Sequence, residues 1–251
     1  MVQVVFSVLI WIYFALVTIF FLFPILTAFL LTFPFDPLRR WPNRMLKGLA
    51  YTFLYAIPGW HIDIQGTEHY QKEEPAICIS NHQSFFDLPL FYLLPWTMRW
   101  VAKKSLFYIP ILGWIIYLTG HIAIDRSRRL AFLNLEEAKP TLQSGMSVMI
   151  FPEGTRTNDG SVLPFKKGAF LLSFDQQVPI QPMVLYGAYE ALPSGSWKFG
   201  LSQQFAIHIL PRIYPQDYDD VEQMKKEARS CIQEKLSELR IRYESHKAEV
   251  L

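Results

Sequence analysis

The stretch Ala76-Ile77-Cys78-Ile79-Ser80-Asn81-His82-Gln83-Ser84-Phe85-Phe86-Asp87 decides the fold. Its apolar start, bounded upstream by the loop Glu73-Glu74-Pro75, reads as a short strand buried on both faces. A polar loop follows at once, and Leu88 to Leu94 then reads as helix, stopping near Pro95. Working outward, strands are expected at His61 to Ile64, Met98 to Ala102, His121 to Ile124, Ser147 to Phe151, Val178 to Tyr186 and Phe205 to Leu210. Ser127 is expected to cap a helix ending near Gly145, with Pro140 straining its last turn. From Val221 the positions Met224, Ala228, Ile232, Leu236 and Leu239 recur at helical spacing, which predicts a solvated amphipathic helix. Strands alternating with helices predict an α/β fold, a mixed sheet flanked by helices, with functional loops at strand ends.

Only 18% of the 251 residues are charged, below the usual share for a soluble domain, and the apolar excess is uneven. From Met1 to Phe35 there is no charged side chain. A bilayer core needs about 20 apolar residues as helix, and Val2 to Phe33 exceeds that. The segment lacks the basic start and small-residue cleavage site of a signal peptide, so it is expected to be retained. Pro24 can kink or break it, which leaves either one tilted spanning helix or a pair that enters one leaflet and returns. A second apolar stretch, Leu46 to Trp60, carries Trp41, Tyr51, Tyr55 and Trp60 in or beside it as interfacial anchors. The expected division is 1–60 as membrane-anchoring helices and 61–251 as the catalytic domain. Arg39, Arg40, Arg44 and Lys47 follow the apolar segment, and the positive-inside tendency puts the rest of the chain in the cytoplasm. A net charge of +2 gives no argument for nucleic acid, and two cysteines are too few for a disulfide framework.

Two segments carry chemistry. In the first, His82 and Asp87 would diverge by about 140° on a regular helix. They meet if His82 lies in the loop and Asp87 in the first helical turn. A carboxylate on one imidazole nitrogen then fixes the tautomer and leaves the other nitrogen to take a proton from an alcohol. Alone, this pair reads more readily as a loop histidine beside a capping aspartate; the second segment changes the weighing. Phe151-Pro152-Glu153-Gly154-Thr155-Arg156 puts a guanidinium fork, suited to phosphate, beside a glycine that lets the backbone approach an anion. Glu153 is expected to hold Arg156 or to accept from a substrate hydroxyl. Arg126 is a second cation candidate, and Lys103, Lys104, Lys166 and Lys167 add positive charge. No metal-ligand spacing is present. The uncharged stretch Ser105 to Gly120 is expected either to line an acyl channel or to be ordinary core.

The ordered set of motifs resembles the glycerolipid acyltransferases, most closely the bacterial 1-acyl-glycerol-3-phosphate acyltransferases. Asn81 to Asp87 looks like the catalytic His-x4-Asp block. Lys103-Lys104-Ser105-Leu106, Ile109-Pro110, Gly113-Trp114 and Ile124-Asp125-Arg126 look like the second block. Phe151 to Arg156 with Phe165-Lys166-Lys167-Gly168 looks like the third, and Val178 to Pro182 like the fourth. Gln181 departs from the family, which more often has an apolar residue there. The resemblance implies acyl transfer from a thioester, acyl-CoA or acyl-carrier protein, to the sn-2 hydroxyl of lysophosphatidic acid, with no cofactor and no metal. His82 would be the general base and Asp87 its orienting partner. Arg156, Glu153 and Arg126 would hold the glycerol phosphate, with Gly154 and Thr155 at the same site. Gly154 and Lys104 are the candidates for stabilising the oxyanion. The expected partners are membrane lipid and the thioester donor, with no nucleic acid. The expected location is an inner (cytoplasmic) membrane with the catalytic domain in the cytoplasm. The rivals are another lysophospholipid or lyso-aminolipid as acceptor and, from a different class, a lipid-binding protein without turnover.

Overall fold

The computed structural model describes residues 1–125 and 133–249. The chain opens with helix α1, Val2–Thr32, which runs through Pro24 without a break. Helix α2, Arg40–Tyr55, folds back along it. Tyr13 Oη donates to the Thr52 carbonyl at 2.7 Å, Phe14 stacks on Phe53 at 4.4 Å, and a Cβ at Gly48 would lie 3.0 Å from the Phe21 ring. Position numbers that rise on one helix while falling on the other mark an antiparallel hairpin. The reversal therefore comes at residues 33–39, past the apolar run, and not at Pro24.

Among the described residues, seven strands form one sheet in the order β1-β7-β6-β2-β5-β3-β4. They are β1 Trp60–Gln65, β2 Ile77–Ser80, β3 Met98–Lys103, β4 Ile122–Ile124, β5 Ser147–Ile150, β6 Ile180–Tyr186 and β7 Gln203–Ile209. Every neighbouring pair is parallel except β6 with β7, so the sheet is mixed. Side chains alternate across it as the pleat demands. Cys78, Met149, Met183, Leu185, Phe205 and Ile207 face a core shared with α1 and α2. Ile77, Ile79, Val148, Ile150, Ile180 and Val184 face a second core. That second core is covered by α6, Gly168–Gln176, and by α8, Val221–Glu249. All five apolar positions read from the sequence of α8 are buried there.

Between β2 and β3 lies the short helix α3, Asp87–Phe91. After β3, a 3-10 turn over Lys104–Tyr108 leads to α4, Leu112–Leu118. Gly113 is packed so closely that a Cβ would meet the Phe107 carbonyl oxygen at 2.2 Å, which accounts for a glycine in this block. The remaining helices are α5, Lys139–Gln143, and α7, Ala188–Ala191. Pro140 stands in the first turn of α5, where a proline costs least, and not in the last turn of a longer helix. Ser127 lies outside the described residues. Helix α6 was not expected from the sequence.

Helix α1 is long and apolar enough to cross a membrane, by length and composition. Its first half is fastened to the loop before β7. Gln3 Nε2 donates to the Phe199 carbonyl at 3.2 Å, the Phe199 N–H donates to Ser7 Oγ at 2.9 Å, and Trp11 Nε1 donates to the Trp197 carbonyl at 2.8 Å. Phe14 packs edge-on against Phe86, the residue before Asp87. The flank opposite these contacts, with Leu9, Ile12, Leu16, Phe20 and Phe23, is exposed.

Candidate active site

Strands β2, β3, β4 and β5 are mutually parallel neighbours, so their C-terminal ends share one edge of the sheet. That edge carries the polar loops of an open α/β sheet. β2 delivers His82, β3 delivers Lys103 and Lys104, β4 ends before Asp125, and β5 delivers residues 151–156. Arg126, expected beside them, lies outside the described residues.

His82 sits in the loop and Asp87 begins α3, the arrangement the sequence required for them to meet. His82 Nδ1 is 2.6 Å from Asp87 Oδ2. The carboxylate is fully buried, and its other donors are backbone amides. The Gln83 N–H reaches Oδ2 at 2.6 Å, and the Ser84 N–H is shared between Oδ2 at 3.0 Å and Oδ1 at 3.1 Å. An acceptor at Nδ1 assigns the proton to that nitrogen and leaves Nε2 with its lone pair. The ring lies flat on Phe151, with centroids 3.9 Å apart and planes 10° apart. Its side chain is 14% exposed, enough for Nε2 to meet a substrate. Ser84 is no rival nucleophile: its hydroxyl donates to the Leu192 carbonyl at 2.7 Å. Asn81, also buried, braces the loop from below, with Nδ2 donating to the Leu185 carbonyl and Oδ1 accepting the Leu185 N–H.

The two motifs are tied together at the His82 backbone. Glu153 Oε1 accepts the His82 N–H at 2.8 Å, and the Thr157 N–H donates to the His82 carbonyl at 3.0 Å. Glu153 Oε2 accepts the Leu163 N–H at 2.9 Å. Both oxygens are thus taken by amides, and the expectation that Glu153 holds Arg156 is corrected: it braces the backbone. Burial pushes its carboxyl up to about 7, against the opposing pull of those two hydrogen bonds.

Among the described residues Arg156 makes no ion pair and is exposed beside the exposed Thr155. Gly154 turns the chain with φ +73°, and a Cβ there would lie 2.7 Å from Lys166 Nζ. The ammonium of Lys166 therefore covers the turn, one residue from Thr155. The sequence marked Lys166 as added charge within the third block, and it gave no role to Phe151 or Thr157. Phe151 had a period-2 signal, since it continues the Met149 face of β5. Lys104 is exposed at the first position of its 3-10 turn. The described His, Cys, Asp and Glu residues form no group that could hold a metal.

Comparison with known proteins bears on the family and the fold. The Acyltransferase family model matches residues 61–186, half of the chain. The 1-acyl-sn-glycerol-3-phosphate acyltransferase of Chlamydomonas reinhardtii is 35% identical over 66% of this chain and 50% of its own length. The alpha form from Mus musculus is 32% identical over 75% of this chain and 68% of its own length. The chain thus spans only about half the length of the algal relative. The crystal structure of the 1-acyl-sn-glycerophosphate (LPA) acyltransferase PlsC from Thermotoga maritima superposes with a TM-score of 0.81 at 26% identity, covering 95% of this chain and 98% of that one. Family match, fold and the order of the motifs agree: the chain belongs to the acyltransferase family.

Proposed function

We propose that this chain transfers an acyl group from a thioester, acyl-CoA or acyl-carrier protein, to the sn-2 hydroxyl of 1-acyl-glycerol-3-phosphate, making phosphatidic acid. The observation that carries this reading is the His82–Asp87 pair, with Nε2 left open, fastened on both sides to the segment that bears Arg156. His82 Nε2 takes the proton of the sn-2 hydroxyl while its oxygen attacks the thioester carbonyl carbon. The tetrahedral intermediate collapses, the C–S bond breaks, and the imidazolium returns the proton to the leaving thiolate. Asp87 holds the tautomer and stabilises the imidazolium. Arg156 and Thr155 hold the acceptor's phosphate at the Gly154 turn, with Lys104 and Arg126 as further cations. Of the two oxyanion candidates, the Gly154 N–H is already donated to the Phe151 carbonyl at 3.1 Å, so the role falls to Lys104.

The exposed apolar flank of α1 and the exposed Trp41, Tyr51 and Tyr55 support placement of the site at a membrane surface. Because the first half of α1 is hydrogen-bonded to the catalytic domain, we read the helix as lying against lipid on one side rather than crossing alone. Arg39, Arg40, Arg44 and Lys47 support a cytoplasmic placement at an inner membrane. The test is purified full-length protein with lysophosphatidic acid and either donor, followed by product analysis. Phosphatidic acid and free thiol in equal amounts support the reading. Thiol release with a lyso-aminolipid but none with lysophosphatidic acid overturns the acceptor, and no release with any acceptor overturns the activity.

A further inference from the structure

The loop from Phe151 to Lys167, between β5 and α6, is long for one without regular structure, and it must hold Glu153 and Thr157 against His82. Tyr189 Oη donates to the Asn158 carbonyl at 2.8 Å, and further holds on the loop come from α8, well outside the segment that matches the family. Arg229 Nε donates to the Leu163 carbonyl at 3.2 Å, and Arg229 Nη2 donates to the Val162 carbonyl at 2.8 Å. Arg240 donates to the Gly160 carbonyl. The same carbonyl accepts from Gln83 Nε2 at 3.1 Å, and Gln83 is the residue after His82. Arg229 and Arg240 are about three helical turns apart, so they project from one face. That face is anchored by Met224, Ala228, Ile232, Leu236 and Leu239, all buried.

The path from helix to imidazole is short at every step. Arg229 fixes residues 162–163, the Leu163 N–H fixes Glu153 Oε2, and Glu153 Oε1 fixes the His82 N–H. Arg240 fixes Gly160, which fixes Gln83 beside His82. Within the loop, Asp159 Oδ1 accepts from the Thr157 hydroxyl and from the Ser161 N–H and hydroxyl, so the span between the two arginines is itself braced.

We propose that Arg229 and Arg240 are positioning residues for acyl transfer, through which the C-terminal helix sets the place of His82. The proposal rests on the reading of His82 as general base. A guanidinium spans two successive carbonyls as a fork, and an ammonium on a flexible stem cannot. Loosening the fork frees the loop without removing its charge or its packing, and a shift of about 1 Å at a reacting group costs on the order of a hundredfold in rate.

The experiment uses the full chain with Arg229→Lys, Arg240→Lys and both together. The controls are Lys235→Ala, whose ammonium among the described residues pairs with the exposed Glu238, and His82→Ala. Turnover per folded molecule, acceptor KM, thermal melting and the ¹⁵N signals of the His82 imidazole are read for each. The double variant should lose turnover by roughly tenfold or more at near-constant KM, with the His82 ring signals displaced. Lys235→Ala should match the parent. A double variant within twofold of the parent, or one whose loss only tracks its unfolded fraction, overturns the proposal. If His82→Ala keeps its turnover, the general-base reading fails by itself. The imidazole signals then decide the positioning claim: displacement in the lysine variants supports it, and unchanged signals refute it.

Discussion

Replacing Asp87 by asparagine isolates one charge in a site whose geometry is otherwise kept. The side chain is fully buried and accepts from His82 Nδ1–H, the Gln83 N–H and the Ser84 N–H. An asparagine with its oxygen in the Oδ2 place keeps all three bonds and the histidine tautomer. Its amide then faces the Ser84 N–H at the Oδ1 place, donor against donor, which costs on the order of 1–3 kcal/mol of stability. What disappears in the proposed step is the attraction between the carboxylate and the imidazolium that would form as the sn-2 proton leaves. Two unit charges about 4 Å apart, at an effective dielectric of about 20, attract by about 4 kcal/mol. At about 1.4 kcal/mol per factor of ten, Asp87→Asn should lower kcat by roughly a thousandfold. Acceptor KM should hardly move, because Asp87 is too deep to touch the phosphate. Thiol release against lysophosphatidic acid concentration separates the two parameters, and thermal melting confirms that the variant is folded. A folded variant with kcat within tenfold of the parent, or one whose loss lies in KM, would refute this assignment.

Further expectations rest on other contacts. Arg156→Ala should raise acceptor KM and leave the donor's KM alone, since the exposed guanidinium has no structural partner among the described residues; titration of both substrates checks it. Glu153 has a folded value near 7, above its ordinary range, so protonation favours the folded state. That stabilisation is full below the ordinary carboxylate range and is lost as pH rises through about 7. The parent's melting temperature should therefore fall between about pH 5 and pH 7. Glu153→Gln should lack that slope and start lower, because its amide meets a backbone N–H. Gln181→Leu should cost on the order of 1–3 kcal/mol in denaturant melts, because buried Gln181 accepts the Arg212 Nε–H at 3.2 Å and a leucine leaves that donor unpaired.

The Gln181 contact also shows where the sequence stopped being readable. Glutamine in place of an apolar residue looked like a minor departure. In the structure it is the buried end of a network that reaches the surface, in which Arg212 also reaches Glu74 Oε2 at 2.6 Å and the carbonyls of Gln71 and Glu74. Nothing local in the sequence links positions 74, 181 and 212. The sheet was legible because its strands obey a period of two, and the strand before His82 was legible because it is apolar on both faces. His82 and Asp87 were legible because both partners lie within one turn of loop and helix. For Glu153 the sequence offered Arg156 or a substrate hydroxyl as partner and missed the two backbone amides, one 10 and one 71 residues away, because such a preference leaves no trace in composition. Helix α6 starts at Gly168 with a short apolar run, which periodicity cannot tell from a strand. Whether α1 ran through Pro24 stayed open in the sequence, because proline in a helix costs stability but does not have to end it.

The central claim is that a single imidazole, aimed by Asp87 and fastened to the Arg156 loop, removes the acceptor's proton. Steady-state acylation of lysophosphatidic acid by folded His82→Ala protein tests it most directly. The account expects a loss of about 10²–10⁴-fold or more in kcat, with binding to lipid vesicles unchanged. Turnover close to that of the parent would contradict it.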